Sequence, residues 1–226
     1  MRCRSKRYRA LDQKRPSEDV GIRDAVAKLK TFADTKFDQT VDCVLRLGID
    51  PKQADQMIRG TLSFPKGIGK TRRVIVFCPD DAAEQAKKAG AIDAGADELI
   101  KKVQDGWMDF DVAIAVPQMM SKVSRLGRTL GPQGKMPSPK AGTVTADFRQ
   151  AVKDYSAGKV EFRNDAGGNV HTVVGKLSFP EDDLVSNIEF FLENIRRLRP
   201  ASAKGTFIQK MVLSGSMSPP VCVGVS

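Results

Sequence analysis

The chain has 226 residues, of which 41% are hydrophobic and 28% are charged, so it can bury the core of one or two domains. Its formal net charge of +10 favours nucleic acid or another anionic surface as the partner. No apolar run approaches the roughly 18 residues of a membrane span, so we expect no membrane segment. The four cysteines show no C-x-x-C spacing, so we expect neither a disulfide framework nor a zinc site. This cysteine usage fits a reducing, intracellular setting.

The amino terminus carries much of the positive charge. The first 16 residues contain seven basic residues and one acidic residue, Asp12. An organellar transit peptide would be longer, richer in serine and clearly amphipathic. We therefore interpret this segment as a tail that touches nucleic acid.

Alternating strands are predicted near both ends of the chain. In residues 39–47, every second side chain is apolar, as in a half-buried antiparallel strand. Residues 159–164 and 169–174 alternate in the same way around a turn at 165–168, and they predict a hairpin. These strands are expected to form a sheet with one exposed face.

The middle of the chain has a different pattern. Residues 74–78 and 112–116 are continuous apolar runs, with helix-like stretches at 81–88 and 94–103 between them and another at 145–155. This order is typical of a parallel sheet that is covered by helices on both sides. The middle is therefore predicted to be a small, Rossmann-like βαβ domain.

Glycines mark the points where the chain would pass between these regions. Gly67 and Gly69 precede the first buried strand, and Gly158 follows the helix-like stretch at 145–155. We expect a middle domain inserted into a flanking domain and predict the two crossings to act as a hinge. The predicted domains are residues 1–66 with 159–226, and residues 67–158.

A helix near the carboxyl end supports a flanking domain built from both chain ends. Its apolar residues recur at spacings of four and three, and Pro200 ends it. Such a seam needs a sheet to cover. The seam consists of Leu184, Ile188, Phe191, Ile195 and Leu198.

The segment from Leu126 to Thr145, LGRTLGPQGKMPSPKAGTVT, is rich in glycine and proline and contains no acidic residue. Its composition predicts a rigid loop that holds its shape without helices or strand ladders. Arg128, Lys135 and Lys140 make it cationic. It is either a surface presented to phosphate or an ordinary solvated loop, and composition alone leaves both possibilities open.

Catalytic motifs are nearly absent from the sequence. His171 is the only histidine, and we interpret it as a surface hydrogen-bonding residue rather than as a base. The Gly67–Thr71 segment is similar to a phosphate-binding loop, but Phe64 stands where the first glycine belongs and the segment precedes a strand. A nucleotide-binding enzyme that uses this loop remains the alternative function.

Three acidic residues lie between Asp105 and Asp111. We expect this segment to lead into a strand, with Trp107 and Phe110 as core anchors, rather than to bind a metal. No catalytic residue, metal or cofactor is therefore expected.

Six segments in the same order resemble the universal large-subunit ribosomal protein L one family in its bacterial form. They cover essentially the whole chain, and six matches in register are very specific. They are KRYRA, KFDQTVDCVLRLGIDPKQADQMIRGT, DGWMDFDVAIAVP, LGRTLGPQGKMPSPKAGTVT, GKVEFRNDAGGNVHTVVGK and KGTFIQKMVLSGSMSPP.

This resemblance implies an α/β (α+β) protein of two domains. The domain made from both chain ends would bind a stem and loop of large-subunit ribosomal RNA. Family members form the mobile stalk beside the exit site and help deacylated transfer RNA to leave. Many bacterial members also repress translation by binding their own messenger RNA. We accordingly expect a cytoplasmic, non-enzymatic ribosomal protein, present as a monomer in the ribosome, with no membrane contact.

The resemblance also implies which residues meet RNA. The segment around Arg128, Lys135 and Lys140 would be the face presented to transfer RNA. The residues expected to bind ribosomal RNA are Lys36, Phe37, Thr40, Asp42, Arg163, Asp165, His171, Ser216, Met217, Ser218 and Pro219.

The chain departs from the family pattern at several positions. Ser218 occupies the place of a glycine, which puts a close backbone approach there in doubt. Lys210 stands where serine is common. The other departures lie in the central loop and are Gln133, Lys135 and Ser138.

Overall fold

The computed structural model describes residues 4–224, apart from the side chains of Ala54 and Lys140. The chain divides into two compact units, one formed by Met1–Gly69 with Glu161–Ser226 and the other by Lys70–Val160. The strands are β1 (Thr40–Leu47), β2 (Arg59–Leu62), β3 (Val74–Phe77), β4 (Asp93–Gly95), β5 (Val112–Ala115), β6 (Val160–Arg163), β7 (Asn169–Lys176), β8 (Ile208–Gly215) and β9 (Val221–Val223). The helices are α1 (Lys6–Asp12), α2 (Ile22–Thr31), α3 (Asp80–Lys88), α4 (Asp97–Gln104), α5 (Met120–Val123), α6 (Gly127–Leu130), α7 (Phe148–Ser156) and α8 (Glu181–Arg197). The predicted mixed α/β class is confirmed.

The first unit is built on a four-stranded antiparallel sheet with the order β7-β1-β8-β9. The alternation predicted for β1 is confirmed, because Val41, Cys43 and Leu45 are almost fully buried. Helices α2 and α8 pack on this unit beside the sheet strands. On the other face of β1, Asp42 is half-buried and Arg46 is exposed, so this face of the sheet is accessible to solvent.

Helix α8 follows the predicted seam over most of its length. Leu184, Ile188, Phe191 and Ile195 are buried. The prediction for Leu198 is wrong, since the helix ends at Arg197 and the Leu198 side chain is 45% exposed. Three acidic residues in the first turn and two arginines in the last turn complement the helix dipole.

The predicted hairpin between residues 159–164 and 169–174 is wrong. Strand β7 pairs with β1, whereas β6 pairs with β2 in a separate two-stranded sheet. The turn itself forms, because the Asp165 N–H donates to the Asn169 carbonyl over 2.8 Å. The buried Asn164, which follows β6, is bonded to Ile58, which precedes β2. Its N–H donates to the Ile58 carbonyl (3.0 Å), and its side-chain oxygen accepts from the Ile58 N–H (2.9 Å). An isolated bridge links Asn164, the residue after β6, to Val170 on β7.

The second unit contains the predicted parallel sheet, with the order β4-β3-β5. Both faces are covered. The cluster on one face includes α4 and the segment from Met119 to Leu130, and the cluster on the other includes α3 and α7. Strand β4 was not predicted: residues 94–96 were assigned to a helix that in fact begins at Asp97. A strand of only three residues is too short to show a recognisable pattern of apolar side chains in the sequence.

The segment 105–111 leads directly into β5, as predicted, and Phe110 is fully buried with Trp107 packed against it at 5.6 Å between ring centroids. One prediction for the second unit needs correction. The glycine- and proline-rich segment contains a helical turn, α6, which was not expected. Leu126 and Leu130, four residues apart, both enter the core, and this burial favours the turn.

The predicted hinge glycines all have positive φ, at 65° for Gly67, 68° for Gly69 and 105° for Gly158. Gly67 is bound within the first unit, where its carbonyl accepts from the Asn187 side chain over 3.0 Å. A Cβ added at Gly69 would lie 2.9 Å from the Phe179 ring. Both glycines therefore belong to a packed segment. Along the described chain, no helix combines the length and the apolar character that a membrane crossing requires.

Candidate nucleic-acid interface

At one end of the two central strands of the four-stranded sheet, β1 and β8, two segments that lie far apart in the sequence meet. The Thr40 N–H donates to the Ser216 hydroxyl, and the Ser216 N–H donates to the Thr40 carbonyl, both over 3.1 Å. The Met217 N–H donates to the side-chain oxygen of Gln39 over 2.9 Å. These bonds bring the segment with Lys36 and Phe37 next to the turn that follows β8. We call this region the 37/217 edge.

The 37/217 edge exposes large apolar side chains. Phe37 is 51% exposed and Met217 is 53% exposed. The backbone of Phe37 is held in place, since the Thr35 hydroxyl donates to its carbonyl over 2.9 Å. Lys36 is also exposed and has no ion-pair partner among residues 4–224. An aromatic face beside a free cation can stack on a base or sugar while the cation meets a phosphate.

Ser218 and Pro219, by contrast, are buried. The Ser218 hydroxyl accepts a hydrogen bond from the Gly215 N–H over 2.8 Å, so the side chain points into the turn. No non-glycine residue within 4–224 has positive φ, and serine therefore fits the glycine position without backbone strain. These two residues shape the turn that presents Met217.

The open face of the sheet carries Asp42 and His171. His171 lies opposite Val44 in the register of β1 and β7 and is exposed. Burial raises the pKa of Asp42, and the charges of His171 and Lys176 partly offset this effect. Lys176 also donates to the Thr40 hydroxyl over 3.0 Å. The face thus offers the carboxylate of Asp42 beside the His171 imidazole and the Lys176 ammonium, and a carboxylate can accept from 2′-hydroxyl or base amino groups.

Asp165 lies at the turn before β7, with an oxygen 3.6 Å from His171. Hydrogen bonds from the side chain and backbone of Asn169, and from the Gly167 N–H, lower the pKa of Asp165 to about 2. Its carboxylate is therefore charged at neutral pH and fixes the turn. Arg163 is exposed but lies on β6, in the two-stranded sheet rather than on the open face.

Sequence reasoning missed one cation that supports the 37/217 edge. The Arg7 guanidinium donates to the Met217 carbonyl over 3.3 Å and to the Asp34 carbonyl over 3.4 Å. These bonds place α1 beside the edge. The basic character of the amino terminus gave a general signal, but no local pattern pairs residue 7 with residue 217.

A family model described as Ribosomal protein L1p/L10e family matches residues 29–219. The chain belongs to this family. Curated relatives named large ribosomal subunit protein uL1 match over almost the whole chain. The relative from Rhodopirellula baltica is 56% identical over 220 residues, which cover 97% of this chain and 98% of that protein. The relative from Nocardioides sp. is 51% identical over 221 residues, covering 97% and 92%, and that from Cutibacterium acnes is 49% identical over 219 residues, covering 96% and 94%.

Membership of the L1p/L10e family identifies the chain as a ribosomal protein of a structural, non-enzymatic kind. The geometry of the Gly67–Thr71 segment also disagrees with the alternative function, a nucleotide-binding enzyme. The Gly67–Thr71 segment leads into β3 and no helix follows it directly, whereas a phosphate-binding loop joins a strand to a helix.

In this L1p/L10e family member, the acid-free loop of the second unit is only partly as expected. Arg128 is exposed. Lys135 is half-buried, donates to the Met108 carbonyl over 3.1 Å and lies 5.0 Å from the centre of the Phe110 ring. The side chain of Lys140 lies outside the described part of the structure. Arg125, which sequence reasoning did not single out, is exposed near Arg128 in the chain.

Proposed function

We propose that this chain is a constituent of the large ribosomal subunit and binds large-subunit ribosomal RNA through the domain made from both chain ends, residues 1–66 with 159–226. In this proposal it forms the mobile stalk beside the exit site, in the cytoplasm, and assists release of deacylated transfer RNA. It also represses translation by binding its own messenger RNA. The observation that carries the proposal is the 37/217 edge, where Phe37 and Met217 are exposed beside Lys36, which has no ion-pair partner in the described part of the chain.

The chemistry of the edge favours RNA over a protein partner. RNA helices present a wide, shallow groove with 2′-hydroxyls, and RNA loops present bases that can stack on an aromatic side chain. Phe37 and Met217 can pack on these surfaces, while Thr40 and Ser216 supply hydroxyl groups beside them. The net charge of +10 adds the attraction to phosphate on which RNA binding depends.

The proposed contact with transfer RNA rests on the second unit. No acidic residue occurs between Asp111 and Asp147, and Arg125 and Arg128 are exposed within that stretch. The chain crosses between the units near Gly69 and Gly158. We propose that these crossings let the second unit move while the first holds ribosomal RNA, and that Gly67 stays with the first unit.

The proposed repression needs no separate site. A messenger RNA that folds into a similar stem and loop would occupy the same 37/217 edge. Ribosomal RNA and messenger RNA would therefore compete for the protein. A free regulator that never joins ribosomes would use the same edge, and only its location in the cell would differ.

Sedimentation of ribosomal subunits tests the proposed function. We expect the full-length protein to remain with large subunits through a high-salt wash, and a variant with Lys36, Phe37 and Met217 all replaced by alanine to be washed away. The control is Ile92→Ala, which truncates an equally exposed apolar side chain of the second unit. Recovery of the unaltered protein only in ribosome-free fractions would contradict a structural role.

A further inference from the structure

A pair of like charges lies at the far end of the open sheet face. Arg46 on β1 and Lys210 on β8 are directly opposite in the antiparallel register, and both are exposed. The Cα atoms of such a pair are about 4.5–5.5 Å apart. Among residues 4–224, neither side chain has an ion-pair or hydrogen-bond partner. Like charges that face each other across strands destabilise a sheet, so this pair needs an explanation.

A third cation lines the same cleft as Arg46. Lys204 is exposed on the loop that precedes β8. This loop is braced, because the Arg199 guanidinium donates to the carbonyls of Ala203 (3.2 Å) and Gly205 (3.1 Å), on either side of Lys204. A hydrogen bond of 2.7 Å from the Gly48 N–H to the Phe207 carbonyl ties the loop to the end of β1. Lys204 is therefore presented by a fixed backbone.

Arg46 and Lys204 both line an open cleft of about 510 Å³, together with Gln209. One carboxylate, that of Asp50, also lines the cleft. Its oxygens already accept from the Lys52 N–H (3.1 Å) and the Gln53 side chain (3.4 Å). The cations thus outnumber the one acid, whose oxygens are already engaged, and the cleft is polar and wide enough for an anion.

The position of these cations indicates which anion binds. Thr40, at the 37/217 edge, and Arg46 are six residues apart on β1, which corresponds to about 20 Å along a strand. Asp42 and His171 lie on the same open face between them. An RNA stem held at the edge and lying along this face would carry its phosphate backbone over Arg46 and Lys210.

We propose that Arg46, Lys204 and Lys210 form a second phosphate-binding site, the 46/210 site, which contacts the backbone of the RNA stem bound at the 37/217 edge. This inference rests on the proposed function, because it requires RNA at that edge. A phosphate between Arg46 and Lys210 removes their mutual repulsion. The pair therefore lowers the stability of the free protein and strengthens the complex.

The test is the salt dependence of binding to a synthetic stem-loop of large-subunit ribosomal RNA. The logarithm of the binding constant falls with the logarithm of salt concentration by about 0.7–0.9 for each phosphate contact. We expect the double variant Arg46→Gln/Lys210→Gln to make this slope shallower by about 1.4–1.8. The matched control is Lys28→Gln/Lys88→Gln, which removes the same charge from two exposed positions on α2 and α3 and should leave the slope unchanged.

A second readout uses the protein without RNA. We expect Lys210→Gln to raise the midpoint of thermal unfolding at low salt, because it removes the repulsion from Arg46. At high salt, this increase in the midpoint should disappear. Lys28→Gln should leave the midpoint unchanged at both salt concentrations. Lys210→Gln also keeps the test open should the double variant fold poorly.

The outcomes separate the two proposals. Unchanged slopes in Arg46→Gln/Lys210→Gln, with binding still weakened by Phe37→Ala, would overturn the 46/210 site and leave the proposed function standing. Failure of the unaltered protein to bind the stem-loop would overturn both. We expect a shallower slope in Arg46→Gln/Lys210→Gln but not in Lys28→Gln/Lys88→Gln, together with a raised unfolding midpoint for Lys210→Gln.

Discussion

Replacing Phe37 by alanine is expected to weaken binding of a large-subunit ribosomal RNA stem-loop by about 1–3 kcal/mol, the range for stacking of an aromatic side chain on a base. The side chain is 51% exposed, so its loss should change the free energy of unfolding by no more than about 0.5 kcal/mol. Because the ring carries no charge, the salt slope of binding should not change. Fluorescence anisotropy over a KCl titration measures both quantities.

Lys36→Ala is the counterpart that separates charge from stacking. We expect it to make the slope shallower by about 0.7–0.9, since one phosphate contact is lost. Lys28→Ala, on α2, is the charge control, and Ile92→Ala is the apolar control for Phe37. If Phe37→Ala and Lys36→Ala behave identically across the titration, the separate roles assigned to these residues are wrong.

Replacing Asn187 by alanine is expected to cost about 2–5 kcal/mol of folding stability, since it leaves one buried and two part-buried backbone groups without their partner, and a buried group costs about 1–3 kcal/mol. Asn187 is fully buried in α8. Its side chain accepts from the Lys66 N–H (3.3 Å) and donates to the carbonyls of Gly67 (3.0 Å) and Val174 (2.8 Å). Urea unfolding followed by circular dichroism measures the loss.

Asn194→Ala is the matched control for this change. It lies on the same helix, is half-buried, and donates to a carbonyl one turn earlier, that of Phe190, over 2.7 Å. We expect a loss below about 1 kcal/mol for this variant. Equal losses for the two variants would mean that Asn187 does not fix the segment around Gly67. Faster amide exchange at Lys66 in Asn187→Ala alone would support that role.

Strands with a regular pattern could be predicted from the sequence. The alternation of β1 and the continuous apolar runs of β3 and β5 each follow from a single short segment, and each is confirmed. The seam of α8 was recognised because its spacing is helical from Leu184 to Ile195. Local patterns of this kind report directly on which face of an element is buried.

Pairings between distant segments could not be predicted in this way. The partner of β6 depends on the hydrogen bonds between Asn164 and Ile58, and nothing in the local sequence of either residue indicates the other. The same limit applies to Asn187, a polar residue inside an apolar helix face whose partners lie more than ten residues away. Long-range polar contacts are specified by the fold as a whole.

The candidate interface was predicted from the family resemblance rather than from pattern. The structure places Phe37 and Met217 at one surface. Local sequence patterns cannot predict this proximity, because the two residues are 180 positions apart in the chain. Lys135 illustrates the opposite case. From composition, Lys135 was predicted, like Arg128, to contribute to the cationic character of the loop. Its side chain instead contacts Met108 and Phe110, because a long aliphatic stem can pack while its ammonium finds an acceptor.

The central claim is that the unit made from both chain ends holds the ribosomal RNA. The most direct test compares the affinity of the full chain for the stem-loop with that of two parts. One part joins residues 1–69 to residues 161–226 through a flexible glycine–serine linker, and the other is residues 70–160, as the compact units divide. We predict that the joined part, once circular dichroism shows it to be folded, binds within about tenfold of the full chain, a difference of about 1.4 kcal/mol. Specific binding by residues 70–160 at the affinity of the full chain, with none by the folded joined part, would contradict the account.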